Sequence, residues 1–373
     1  MKNNKKMKIS TKILIVIFTL CVMLNGLAWL SEGFCNWYTS NIFPIWTNTY
    51  GRLTSVLPFS LGEILIWIAV LGLPLSFILL AILLLAKKDK RKKIKKAFGL
   101  TYLWIIAFIA VTETLNCFIL YHCSSFAKLH DIPEKQHTTA QLEQLAEDLI
   151  KETNKLAVMV ERDTNGRFIL TSDLNETAKE AMRSLGEEFP ALGGYYVTPK
   201  PVMYSYFMSQ QYLMGIYFPF TMEANYNHLM YPHNLPDTVC HELAHTKGFI
   251  QEDEANFIAF LACTRSDNIE YQYSGYLSAL KYVINKIDEF SSDDKKAELS
   301  KMIRNEIFID YAGNAAYWKS VQEDDSGIVS SKTIAKVSDK AMETSLKLNG
   351  VEDGKKSYGR MVDLLLNYYY DLS

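Results

Sequence analysis

The sequence lacks a Cys-x-x-Cys pair, a glycine-rich phosphate loop, an internal repeat and any low-complexity tract. Its six cysteines, at 21, 35, 117, 123, 240 and 263, are too few and too scattered for a disulfide-dense scaffold or a cysteine-built zinc module. Cys35 and Cys123 fall on the same side of the predicted apolar spans and are either a pair or two free thiols. Without a loop to cradle phosphates, nucleotide hydrolysis has no local signature. No Ser-His-Asp arrangement is evident either.

Charge is unevenly divided along the chain. Residues 1–122 hold 14 Lys and Arg against four Asp and Glu, whereas residues 123–373 hold 25 against 37. The near-neutral total of −2 hides this split. An acidic soluble part argues against nucleic acid as a partner.

What the first third has in abundance is apolar sequence. Three runs, at 13–30, 64–86 and 100–120, each approach the roughly 20 residues a helix needs to cross a bilayer. The first run can be read as an uncleaved anchor or a signal peptide; its length and the absence of a small-x-small site favour the anchor. Lysines precede the first run, and Lys87 to Lys96 carries eight basic residues between the second and third. Only Arg52 is basic between the first and second. The positive-inside rule therefore places the N-terminus and the basic loop in the cytoplasm, and 123–373 outside. A multi-pass cell-membrane protein in contact with the lipid bilayer is expected. Two domains follow: 1–122 in the membrane and 123–373 as an extracytoplasmic domain. Glu113 lies near the outer end of the third run and receives no functional role.

Apolar spacing predicts helices within 142–160 and 175–189, and again over 277–290, 296–308, 333–348 and 358–370. Between these groups, 195–204 and 213–220 are rich in aromatic and branched residues and read as short strands. A small mixed sheet with a helix-rich remainder is an α+β layout.

The chemistry concentrates in Asp237-Thr238-Val239-Cys240-His241-Glu242-Leu243-Ala244-His245. Pro236 suits the first turn of a helix and Asp237 its positive end. On that helix His241 and His245 share a face, where two imidazoles can bind one Zn²⁺. Glu242 lies beside them, placed to take a proton from water activated by the metal. A third protein ligand is still required, and Glu252 and Glu254 both follow the helix break at Gly248. Without such a ligand, these acids would be a solvated helix start favoured by the dipole alone.

Glu252 and Asn256 are four apart, which resembles the Glu-x-x-x-Asp arrangement of thermolysin-like gluzincins with Asn in place of Asp. That resemblance implies a zincin-like fold, Glu252 as the third ligand and Asn256 orienting a ligand histidine. The alternative metzincin pattern needs a histidine or aspartate at 251, and Gln251 stands there. More widely, the three apolar runs, Leu57-Pro58-Phe59-Ser60-Leu61-Gly62-Glu63, Pro219-Phe220-Thr221-Met222-Glu223-Ala224-Asn225 and 241–263 resemble a bacterial membrane family. That family is a domain of unknown function with a zinc-peptidase signature.

The expected function is thus a membrane-anchored zinc metallopeptidase, with His241, His245 and Glu252 on the metal and Glu242 as general base. Its partner would be a peptide or protein substrate; the oligomeric state is not legible. The competing expectation is a sensor or scaffold that keeps the zincin fold and binds a peptide or cell-envelope ligand without cleaving it. Near the site, 215–220 is a candidate substrate-pairing strand. Glu223 and Asn225 either line the cleft or cap a turn. Tyr273 and Tyr276 are candidate oxyanion donors. His228 and His233 read as surface or loop residues.

Overall fold

The computed structural model describes residues 8–133, 135–327, 329–351 and 360–371. Among the described residues three helices are long and apolar enough to span a membrane: Ile9–Leu30, Leu61–Ala86 and the nearly continuous Lys88–Tyr121. Their side chains explain their exposure, since an apolar helix without a polar face has no reason to turn one side to water. Ile66, Ile68, Val70 and Leu71 stand exposed on the second, and Trp104, Ile106, Phe108 and Ile109 on the third. Ser60 starts the second helix by accepting the Glu63 amide through its hydroxyl.

The connection from the first to the second apolar helix is itself helical, beginning with Glu32–Asn41 and Phe43–Trp46. It packs against the rest of the chain. Cys35, Tyr38 and Phe43 share a buried apolar cluster with Ile119 and Leu120 of the third apolar helix and with Tyr217, Met222 and Ile250. Packing therefore runs continuously across residue 122. Among the described residues all six cysteines are free; Cys123 lies against the Thr39 hydroxyl rather than in a bond to Cys35.

The remainder is helix-rich around a three-stranded mixed sheet, ordered β1 (Lys200–Pro201), β3 (Glu223–Tyr226), β2 (Gly215–Phe218). β3 pairs parallel to β1 and antiparallel to β2. The expected strand at 195–204 shrinks to two residues, because only Lys200 and Pro201 find a ladder partner. The expected strand at 213–220 forms as β2. β3, expected as a cleft wall or turn, is the centre of the sheet. Its polar sequence is accommodated because Glu223 and Asn225 are buried with partners.

Two expected helices form close to their predicted limits, at Thr139–Ala157 and Ser331–Leu348, whereas the one expected over 277–290 starts eight residues earlier and runs Ile269–Phe290. The helix expected at 175–189 runs as Leu174–Ser184. The one expected at 296–308 is broken at Ile303 into Asp293–Met302 and Asn305–Gln322, with Ile303 and Arg304 extended. The last described helix is Met361–Asp371; residues 358 and 359 of the element predicted over 358–370 lie outside the described residues. The main core centres on Leu235–His245 and Glu252–Thr264, where Ala244, Ala255, Ala259 and Ala262 are fully buried and let the two helices approach.

Candidate metal centre

Leu235–His245 begins with Pro236 in its first turn, where the missing N–H costs nothing. Its start is held by the next long helix, Ile269–Phe290. The Ser274 hydroxyl accepts the Asp237 amide at 3.1 Å, and the Ser278 hydroxyl donates to Asp237 Oδ2 at 2.8 Å. Gly248 turns the chain with φ of 99°, and a Cβ there would lie 2.7 Å from Thr39 Cγ2. The position thus needs glycine both for its left-handed backbone and for the close approach of the helical connection. This turn delivers Glu252 back beside the histidines.

His241, His245 and Glu252 offer ligand atoms that all lie within 4.8 Å of one another. Each imidazole is oriented from behind. His241 Nδ1 donates to Asn256 Oδ1 at 2.8 Å, and His245 Nδ1 donates to the Phe249 carbonyl at 2.8 Å. Both Nε2 atoms are thereby left as the potential metal-binding atoms, and His241 Nε2 is 3.1 Å from Glu252 Oε2. The donor set of two imidazole nitrogens and one carboxylate suits Zn²⁺ with an open position.

The three acids at the start of Glu252–Thr264 go three ways. Glu252 faces His241, Asp253 accepts from Arg360 Nε at 2.7 Å, and Glu254 accepts the Phe126 amide at 2.6 Å. Glu254 is therefore committed elsewhere and does not join the cluster, and the acidic turn is not a merely solvated helix start. Gln251 also points away, donating to the Tyr121 carbonyl at 3.2 Å.

Burial sets the electrostatics. Burial raises the Glu242 carboxyl to about 8; the charge of His241 opposes the rise and that of Glu252 adds to it. Burial also lowers His245 to about 4, assisted by the charge on His241. For His241 burial pulls downward, but the hydrogen bond and charge of Glu252 outweigh it, with help from Glu242 and Asp237, and the imidazole rises to about 9. Glu242 Oε2 is buried with no hydrogen-bond partner among the described residues, a costly state for a carboxylate unless something else occupies its site.

The site opens into a cavity of about 480 Å³ lined by His241, Glu242, His245, Glu252, Asn256, β2 and Tyr212. The edge strand β2 contributes Gly215, Ile216 and Tyr217 to its wall, which places a pairing edge beside the three-residue cluster. Several wall residues carried no local signal in the sequence. Cys117 and Tyr121 come from the third apolar helix, Tyr282 from Ile269–Phe290, and Asp339 and Met342 from Ser331–Leu348.

Other candidates lie apart. Glu223 is buried and accepts from Leu61 and Gly62 amides at 3.0 and 2.7 Å, capping the second apolar helix rather than lining the cleft. Asn225 is buried in the sheet, donating to the Glu223 carbonyl. The Tyr273 hydroxyl donates to Asp310 and accepts from Arg162, and Tyr276 packs on Phe260; neither lines the cavity. His228 bonds Ser205. His233, read as a surface or loop residue, lies in the short connecting segment Pro232–Asn234 but is buried against Tyr231, and burial lowers its imidazole to about 3.

Residues 38–366 match a family described as a protein of unknown function (DUF3810), and the chain belongs to that family. No curated protein and no solved structure matches it.

Proposed function

We propose that this chain is a membrane-anchored zinc metallopeptidase with its zincin-like domain, 123–373, outside the cytoplasm. One observation carries the reading: two back-oriented imidazoles and the Glu252 carboxylate converge beside a buried Glu242, whose Oε2 has no partner among the described residues, at the edge of a strand. His241, His245 and Glu252 would hold the metal. Zinc, when bound, supplies Lewis acidity that polarises a peptide carbonyl and makes water acidic enough to attack near neutral pH.

The chain's own groups do the rest. β2 offers backbone donors and acceptors along its outer edge, so an extended peptide can add there as a further strand. Glu242 accepts the proton of the attacking water and passes it to the departing amine. Asn256 and the Phe249 carbonyl keep the imidazoles in one tautomer and orientation. The lysine asymmetry around the three apolar helices supports the outward orientation.

The test is metal content and cleavage in the same preparation. Purified native chain should carry about one zinc per chain and cleave peptides. Glu242→Gln should keep the zinc and lose cleavage by roughly 10²- to 10⁴-fold. Comparing surface and secreted proteins from cells with either form would identify the cut products. A folded, zinc-loaded native chain that cuts nothing would favour the non-cleaving sensor instead. Protease added to intact, wall-stripped cells should digest the C-terminal domain and spare a tag at Met1; protection of that domain would overturn the orientation.

A further inference from the structure

The candidate catalytic cavity is built on the ends of the apolar helices. Cys117 and Tyr121, at the end of Lys88–Tyr121, form part of the same wall as His241 and Glu242. β2 and the turn that follows it are pinned to this helix. Asn116 Nδ2 donates to the Pro219 carbonyl at 2.8 Å, and the Tyr217 hydroxyl donates to the Asn116 carbonyl at 3.4 Å. The second apolar helix is tied to the sheet from the other side. Its first amides rest on Glu223 of β3, and its Glu63 carboxylate accepts the amides of Met203 and Tyr204 at 2.7 and 2.9 Å.

The height of the cavity above the lipid follows from where exposure ends. On the third apolar helix, Ile109 is half exposed, whereas Thr114, Asn116, Ile119 and Leu120 are buried in protein. Cys117 is eight residues beyond Ile109. At 1.5 Å per residue that is about 12 Å along the helix. The headgroup layer of one leaflet is roughly 5–8 Å deep. With Ile109 taken as the lipid boundary, the cavity wall sits just outside the headgroups.

A second feature points the same way. Met203, Tyr204, Phe207 and Tyr212 are all substantially exposed, and Tyr204 packs on Trp67 of the second apolar helix with ring centroids 4.9 Å apart. Aromatic side chains of this kind favour the bilayer interface. Tyr212 is also a wall residue of the cavity, so exposed aromatic residues occur both beside Trp67 and at the site.

We infer that the substrate of this site is a polypeptide anchored in the same membrane and cut close to where it leaves the lipid. The inference rests on the peptidase reading above. An extended chain rises about 3.3 Å per residue, so about 12 Å corresponds to roughly four residues between the lipid boundary and the cut bond. A soluble peptide would have to enter a cleft whose mouth lies on the bilayer. An anchored chain is delivered to that mouth by diffusion in the plane, at a high effective concentration.

The test uses the full chain, loaded with zinc and reconstituted in lipid nanodiscs. One degenerate peptide library is presented in three forms: about four residues outside a transmembrane anchor, on the order of twenty residues outside the same anchor, and free. Cleavage is read by mass spectrometry with the native chain. Capture is read separately with Glu242→Gln carrying a photo-crosslinking residue in place of Tyr212. The near-anchored library should be captured selectively and cut at least about tenfold faster than either other form, with cuts clustered roughly three to six residues from the anchor. Equal capture of the far-anchored or free library would overturn the inference, as would capture of none. Selective capture of the near-anchored library without any cleavage would support the location of the substrate and overturn the peptidase reading alone.

Discussion

Gly215 and Glu242 leave no room for a side chain between them: a Cβ on Gly215 would lie 2.6 Å from Glu242 Cγ and closer still to its carboxylate. The strand proposed to hold substrate and the proposed general base are thus packed backbone to side chain. Gly215→Ala should push the Glu242 carboxylate off its position while leaving His241, His245 and Glu252 in place. We expect zinc content to stay native and cleavage to fall by about 10²-fold, the lower part of the range for losing a positioned base. Zinc analysis and peptide turnover on one preparation check this. Unchanged turnover would show that the carboxylate need not sit where it does.

The choice of third ligand can be separated from its neighbour. Glu252 faces His241 Nε2, whereas Glu254 accepts the Phe126 amide in the core. Glu252→Ala should release zinc. Glu254→Ala should retain it, and should instead lower stability by roughly 1–3 kcal/mol, because a buried amide loses its acceptor. Equilibrium dialysis with zinc, alongside thermal unfolding in detergent, distinguishes the two. Zinc loss from Glu254→Ala with native affinity in Glu252→Ala would reverse the assignment.

Asn256 holds His241 from the side away from the cluster. Asn256→Ala removes that acceptor and frees the ring to rotate. Zinc affinity should fall by about 10- to 100-fold, the usual effect of removing a group that orients a ligand. Asn256→Asp restores an acceptor and should recover most of it. Competition against a chromophoric chelator gives both numbers, and equal affinities for native and Asn256→Ala chains would remove Asn256 from the site.

These residues were not equally legible in the sequence. His241, Glu242 and His245 follow from helical spacing, a local property. Glu252 and Asn256 follow from a second helix whose acidic start was ambiguous, because a helix dipole attracts any carboxylate. Only the tertiary partners of Asp253 and Glu254 separate them from Glu252. β3 was not legible as a strand, since Glu223 and Asn225 are polar residues whose burial depends on groups far away in the chain. The cavity wall drawn from Cys117, Tyr121 and Tyr282 carries no pattern at all in one dimension. The apolar spans were legible as segments, because bilayer thickness sets their length, although the third helix begins in the basic stretch, at Arg91. Their packing against the sheet was not.

That packing has its own buried charge. Lys200 Nζ lies 2.6 Å from Glu223 Oε1 and also donates to the Thr54 carbonyl at 2.6 Å, with both side chains almost wholly buried. The same carboxylate receives the first two amides of the second apolar helix, so one ion pair joins β1, β3, the helical connection and that helix. Removing one member of a buried pair strands the other, at a cost of roughly 3–5 kcal/mol. Glu223→Ala should therefore be strongly destabilising, and Lys200→Met should be as well. Neither residue touches the three-residue cluster, so zinc affinity measured on the folded fraction should remain native. Thermal unfolding and zinc binding in the same detergent micelles provide the comparison. A Glu223→Ala chain that unfolds at the native temperature would show that the apolar helices and the sheet are held together by the apolar cluster around Tyr217 and Ile119 alone.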